Sequence, residues 1–306
     1  MKAHELCKVL GGDCYGNQIL MPGPDHRPFD RSLSVLFDPS APDGFLVYSF
    51  AGDDRALCRA YVKERLKKLA SGSLVIEADT SPVDASAQEA RIAAALKIWE
   101  AAQPAQGTIV ETYLDWRGCP LTPTVIATDM LRFHPLCPFG GDRAPAMVAW
   151  MTDVLTGAPV GVHRTALADD GLSKRVMSNG RPCRMMMGRA KDAVVRFGDI
   201  TGGCLGLSEG LETALSAAKI FKVSTWAALS ANGMACLPII PGVKSLTIFA
   251  DHDAAGISAA RECKRRYKKA GIEVEVRYPL TFGDDWNDHA RKEASHGNHH
   301  KENEAE

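Results

Sequence analysis

The sequence predicts an α/β chain, with a parallel sheet and crossover helices at the C-terminal end and mixed α and β parts before it. Three observations carry this. Between residues 201 and 290 short apolar runs alternate with helical stretches, the pattern of strands that need crossover connections. Further back, AMVAWMTD and VGVHRTAL flank VLTGAP, whose Gly and Pro signal the turn of a hairpin. The first 70 residues hold two short strand-like runs among Pro and Gly, followed by one helical run.

In chain order, residues 1–70 read as one small unit. Strands are expected at Ser32–Phe37 and Phe45–Phe50, then a helix capped by Asp53 or Asp54, running to about Leu69 with Leu57, Tyr61, Val62, Leu66 and Leu69 inward. Residues 71–83 read as a linker and 84–102 as an Ala-rich helix with Ile92, Leu96 and Trp99 on one face, ended by Gln103-Pro104, so that 71–104 connects the units. Residues 105–200 form a mixed segment: a helix at Ile109–Arg117 stopped by Gly118, then strands at Leu131–His134, Ala146–Thr152, Val160–Leu167 and Ala193–Phe197. In 201–290 the runs CLGLS, TWAAL, SLTIFAD and EVEVRYP are strands, and LETALSAAKI and AAGISAARECKRRYKKA are helices. Residues 291–306 are polar and His-rich and are expected to be a disordered tail.

At 306 residues the chain has room for two domains or three. Its 45% hydrophobic and 24% charged residues are ordinary for a soluble globular protein, and a net charge of −1 confines any nucleic-acid surface to a local patch. The nine cysteines contain no C-x-x-C pair and read as reduced cytosolic thiols; no apolar run approaches a membrane span, so a cytoplasmic protein with no membrane partner is expected. No G-x-x-x-x-G-K-[ST] occurs.

Three acidic clusters fall at strand ends: Glu209 before Gly210, Asp251 and Asp253 in FADHDAAG, and Asp284, Asp285 and Asp288 in GDDWND. In a parallel sheet the loops at the carboxyl ends of strands share one edge, so these groups converge. Converging carboxylates repel unless a cation neutralises them, and Mg²⁺ takes oxygen ligands. In an extended segment Asp251 and Asp253 point the same way. Each residue singly has a plain structural role open to it: Asp253 could cap the following helix, and Glu209 could cap LETALSAAKI.

E-G-x-x-T-A-L, then an apolar strand with D-x-D-x-x-G, then a late acidic turn resembles the Toprim domain shared by bacterial primases, topoisomerases and some nucleases. LSEGLETALSAA, WAALSANGMACLP, IFADHDAAGISAA and DDWNDHARK resemble the primase-like proteins of phages, plasmids and integrated mobile elements. The resemblance implies Glu209 as general acid/base or metal-organising carboxylate, with Asp251, Asp253 and Asp285 binding Mg²⁺ or Mn²⁺. Asn287 stands where such primases have a second Asp of the last motif. YLDWRG, LRFHP and VHRTALADDGLSKR resemble the part of the primase core that precedes Toprim. The basic run from His163 to Arg196 fits phosphate neutralisation. Lys174 and Arg164 are the expected functional contacts, and Arg175 and Arg117 complete the substrate-binding set. MPGPDHRPFDRSLSV and GFLVYSFAGDDRALCRAYV resemble the outline of the primase zinc ribbon, with Met21, His26, Ser49 and Asp53 near the ligand positions, so a zinc-ribbon-like unit without zinc is expected. Tyr48, Phe50 and Phe45 are available for base stacking or for a small core.

The function this implies is a Mg²⁺-dependent DNA primase-like nucleotidyltransferase, acting on single-stranded DNA with nucleoside triphosphates during mobile-element replication or transfer, with a separate helicase or replication protein as partner. A Toprim nuclease, a non-catalytic single-stranded nucleic-acid-binding protein and a small-molecule phosphotransferase are the alternatives.

Overall fold

The computed structural model describes residues 6–7, 10–15, 18–37, 41, 43–49, 51–67, 85–177 and 183–292. The 71–83 linker, Phe50, Leu69 and most of the 291–306 tail lie outside them. The chain divides into two compact units, Met1–Ala85 and Ser86–Glu306.

The first unit is an antiparallel four-stranded sheet in sequential order: β1 (Asp13–Tyr15), β2 (Gln18–Met21), β3 (Leu33–Phe37) and β4 (Phe45–Ser49). Helix α1 (Arg55–Lys67) covers one face. Alternation along β2 and β4 sends Ile19, Met21, Phe45 and Val47 inward, where they meet Cys58, Val62 and Leu66 of α1. Asp54 starts the helix, its Oδ1 accepting the Leu57 N–H at 2.9 Å. The buried helical stripe is rotated from the expected one: Cys58 takes the inner position and Leu57 is 54% exposed. Phe45 is core, while Tyr48 faces outward. At the open end of the sheet His26 sits between two carboxylates, with Nδ1 2.7 Å from Asp30 and Nε2 3.1 Å from Asp53, and the Ser49 hydroxyl donates to Asp53 at 2.7 Å.

In the second unit, α2 (Ala85–Glu100) buries Ala95, Ile98 and Trp99. Gln103-Pro104 does more than end that helix: it forms a two-residue edge strand, β5, the sheet position that tolerates proline. Then follow α3 (Ile109–Trp116), α4 (Pro123–Thr128), β6 (Leu131–Phe139), β7 (Asp142–Asp153), β8 (Pro159–Ala166), β9 (Arg184–Gly188) and β10 (Ala193–Phe197). Next come β11 (Cys204–Ser208), α5 (Leu211–Phe221), β12 (Thr225–Ala227), α6 (Ala231–Cys236), β13 (Ser245–Phe249), α7 (Ala254–Lys269) and β14 (Glu273–Arg277), and residues 286–292 are again helical. The expected hairpin is β7–β8, longer than its apolar cores, and β9 adds a strand to it.

All these strands belong to one ten-stranded sheet, whose main path is β14-β13-β11-β12-β10-β7-β6-β5. The four strands from 204 onward run parallel to one another, as the alternation with helices requires. β10 pairs antiparallel to both β12 and β7 and so joins the two halves. One apolar core crosses the same junction, with Tyr113, Met147 and Val195 packed with Leu211, Leu215 and Ala227. Among the described residues no helix is long and apolar enough to cross a membrane.

Candidate active site

Strands β11, β13 and β14 end on one edge of the parallel sheet, and each leads into an acidic loop. Glu209 follows β11. The helix after it is capped by Gly210, with no side-chain cap, so Glu209 is not spent on capping α5. Its carboxylate accepts the backbone N–H of Ala231, the first residue of α6. Burial holds its pKa above the ordinary glutamate value, Asp253 adds to this, and the Ala231 N–H and Arg184 oppose it.

Asp251 follows β13. The Thr213 hydroxyl donates to it, while its Oδ1 is buried without a hydrogen-bond partner. Burial, then the charges of Glu209, Asp285 and Asp253, push its pKa up to about 8. Asp253 is exposed and caps α7, its Oδ1 accepting the Gly256 N–H at 2.7 Å. Gly256 is required here, because a Cβ would lie 2.4 Å from the Asp251 carbonyl oxygen; the room it leaves is taken by the chain itself. Asp285, after β14, is raised by burial and accepts the Asp288 N–H at 2.8 Å. Asn287 turns away from this group. Its amide donates to the Arg117 carbonyl at 2.6 Å and to Ser216 Oγ at 3.0 Å, tying the acidic turn to α3 and α5.

The expected basic residues occupy different places. Arg117 lies beside the site: its charge lowers the Asp285 pKa, and its guanidinium is 4.0 Å from Asp288. Lys174 pairs at 2.8 Å with buried Glu212, which also accepts the Tyr113 hydroxyl at 2.7 Å. Arg175 pairs with Asp169 at the surface, at 2.9 Å. Arg164 is 1% exposed, and its guanidinium donates to the carbonyls of Pro138 and Met186 and lies over the Phe139 ring. The structure therefore places Asp251 in the fields of Glu209, Asp253 and Asp285, and Glu209 in that of Asp253, with Arg117 beside Asp285. Lys174 is held by Glu212, which lies on α5 three residues after Glu209, and Arg164 is enclosed in the fold. Two contributors were not singled out from sequence. Thr213 had a signal in its fixed spacing from Glu209, whereas Arg184 on β9 acts on Glu209 only through the fold.

Residues 204–296 match the family model described as Toprim domain. The C-terminal part of this chain is a Toprim domain. Residues 89–197 match a second model, described as a domain of unknown function (DUF7146). Among solved structures, the chain is similar to the zinc-binding and RNA polymerase domains of the Aquifex aeolicus primase, at 16% identity over 95% of this chain and 82% of that one, with a TM-score of 0.47. It is also similar to a DNA primase domain from Pseudomonas aeruginosa, at 17% identity over 66% and 75% of the two chains, with a TM-score of 0.42. A third is the primase fragment of the bacteriophage T7 primase-helicase protein, at 14% identity over 88% and 93%, with a TM-score of 0.36. No curated protein matches the chain.

The donor set of the Toprim site fits a hard cation in its chemistry: it is all oxygen, mutually repelling, and includes the unpartnered Oδ1 of Asp251. Among the described residues no three His, Cys, Asp or Glu side chains come together as a group that could hold a metal ion. Mg²⁺ is commonly held by one or two carboxylates, with water and substrate phosphates completing the shell.

Proposed function

We propose that this chain is a primase-like nucleotidyltransferase that extends a strand on single-stranded DNA, in the replication or transfer of a mobile element. The observation that carries the reading is the meeting of Glu209, Asp251 and Asp285 at one sheet edge, with a buried carboxylate oxygen left unpaired. Asp251, Asp253 and Asp285 would hold Mg²⁺, which when bound neutralises charge on the transferred phosphate. Glu209, kept basic by burial and oriented by the Ala231 N–H, is placed to accept the proton of the attacking hydroxyl. Arg184 and Arg117 bring positive charge to the rim for nucleotide and template phosphates. Lys174 supplies a further ammonium whose position is set by Glu212.

The test is incorporation of labelled nucleotides on single-stranded DNA in Mg²⁺ or Mn²⁺, comparing wild type with Glu209→Gln and Asp251→Asn. Template-dependent products that fall at least 100-fold in both variants are expected. Shortened template instead of extended product would replace this reading with a nuclease.

A further inference from the structure

The loop from β14 to the acidic turn carries two large apolar side chains in water: Leu280 is 89% exposed and Phe282 is 69% exposed. It is bound tightly to the D-H-D segment. The His252 N–H donates to the Asp284 carbonyl at 3.0 Å, the Gly283 N–H donates to the His252 carbonyl at 2.8 Å, and His252 Nδ1 donates to the Pro279 carbonyl at 2.8 Å. The His252 ring lies 5.5 Å from Tyr278 and 5.4 Å from Phe282. These contacts hold an aromatic group directly beside Asp251, Asp253 and Asp285, with Phe282 at its outer end. Nothing in the folding of the domain needs Phe282 in solvent, since the loop is already closed by main-chain bonds.

We propose that Phe282, backed by His252 and Tyr278, is a stacking platform for one base of the single-stranded nucleic acid whose backbone passes the carboxylates. This rests on the nucleotidyltransferase reading only in taking a nucleic acid as the substrate. The occupant follows from the neighbours. Two side chains are too small an apolar area for a protein interface, which buries roughly 800 Å² per partner. A ring face open to solvent suits the π-face that every base presents. A strand held by its phosphates at the acidic site carries its bases one sugar away, within reach of an immediately adjoining loop. Such a contact is tolerant of sequence, because it uses no base edge.

The experiment measures binding by fluorescence anisotropy in Mg²⁺ without nucleotides, using an oligothymidylate and an abasic oligomer of the same length. Wild type, Phe282→Ala and Phe282→Tyr are compared, and nucleotide incorporation is assayed in parallel. The expected result is a preference of about 5- to 100-fold for the base-bearing strand, the span of one stacked base. Phe282→Ala should lose most of that preference and keep its affinity for the abasic strand, and Phe282→Tyr should keep both. The platform is overturned if wild type shows no preference or if Phe282→Ala retains it. Incorporation separates the two readings: an intact preference without incorporation sinks the nucleotidyltransferase, and incorporation with an unchanged Phe282→Ala sinks only the platform.

Discussion

The carboxyls of Glu212 and Asp251 are driven in opposite directions. Burial raises both carboxyls. At Glu212 the Lys174 ammonium and the Tyr113 hydroxyl outweigh it and bring the pKa to about 2. A depressed carboxyl stabilises the fold at pH above its unfolded pKa, and that contribution is lost as pH falls from about 4.5 towards 2. Glu212→Gln should therefore cost on the order of 2 kcal/mol at pH 7 in urea unfolding, with the gap to wild type narrowing below about pH 4.5 and closing only near pH 2. At Asp251 burial is joined by like charges, and the pKa rises to about 8. Here the unfolded chain releases the proton first, so the metal-free protein loses stability as pH rises from about 4 to about 8. Asp251→Asn in EDTA should be more stable than wild type at pH 8 by about 1–3 kcal/mol and no more stable at pH 4, while adding Mg²⁺ should stabilise only wild type. The D-x-D pattern made Asp251 visible in the sequence. Glu212 was not visible as a site residue, because its meaning depends on Tyr113 and Lys174, which only the fold brings to it. Arg164 depends on the fold in the same way: a basic residue in an apolar strand reads as a ligand contact, and the structure buries it with its terminal nitrogens donating to the Pro138 and Met186 carbonyls.

Elements with a strong period were legible, and short ones were not. The β7–β8 hairpin, α5, α7 and the four parallel strands follow from alternation, apolar runs and turn residues. β9, with the sequence RMMMG, has no polar alternation, and α6 has six residues, so neither announces itself. The small sheet of the first unit is held at its open end by His26 between Asp30 and Asp53. Only an imidazolium can donate from both nitrogens to both carboxylates. The hydrogen bond to Asp30, aided by Asp53, raises the His26 pKa against the lowering effect of burial. A raised histidine contributes stability below its unfolded pKa of about 6.5, lost as pH climbs through the higher folded value. Amides of β3 and β4 in the intact chain should exchange faster at pH 8.5 than intrinsic rates account for, relative to pH 6. His26→Asn should remove that difference, and an unchanged pH response in the variant would show the clamp to be silent.

The change of pattern near residue 201 was read from the sequence as a boundary, and across it the strands do turn from antiparallel to parallel partners. The physical structure is continuous there. β10 pairs with β12 through Val195, Arg196 and Phe197, the Trp226 indole donates to the Gly198 carbonyl at 2.8 Å, and Arg196 lies over the Trp226 ring while binding the carbonyls of Asp153 and Val154. Sequence pattern reports strand direction and burial, and it is blind to which sheets merge; the β10 run AVVRF would look the same at a free edge. The consequence can be measured. Because one core holds Tyr113, Met147 and Val195 with Leu211, Leu215 and Ala227, neither side of residue 200 can bury all of its apolar surface alone. A fragment of residues 86–200 and one of 201–292, expressed separately, should each lack a cooperative thermal transition, and mixing or co-expressing them should restore one. Residues 86–292 together should unfold in a single step by both tryptophan fluorescence and circular dichroism. Two resolved transitions in that piece, or a stably folded 201–292 fragment, would mean that the sheet is joined at β10–β12 without being coupled there.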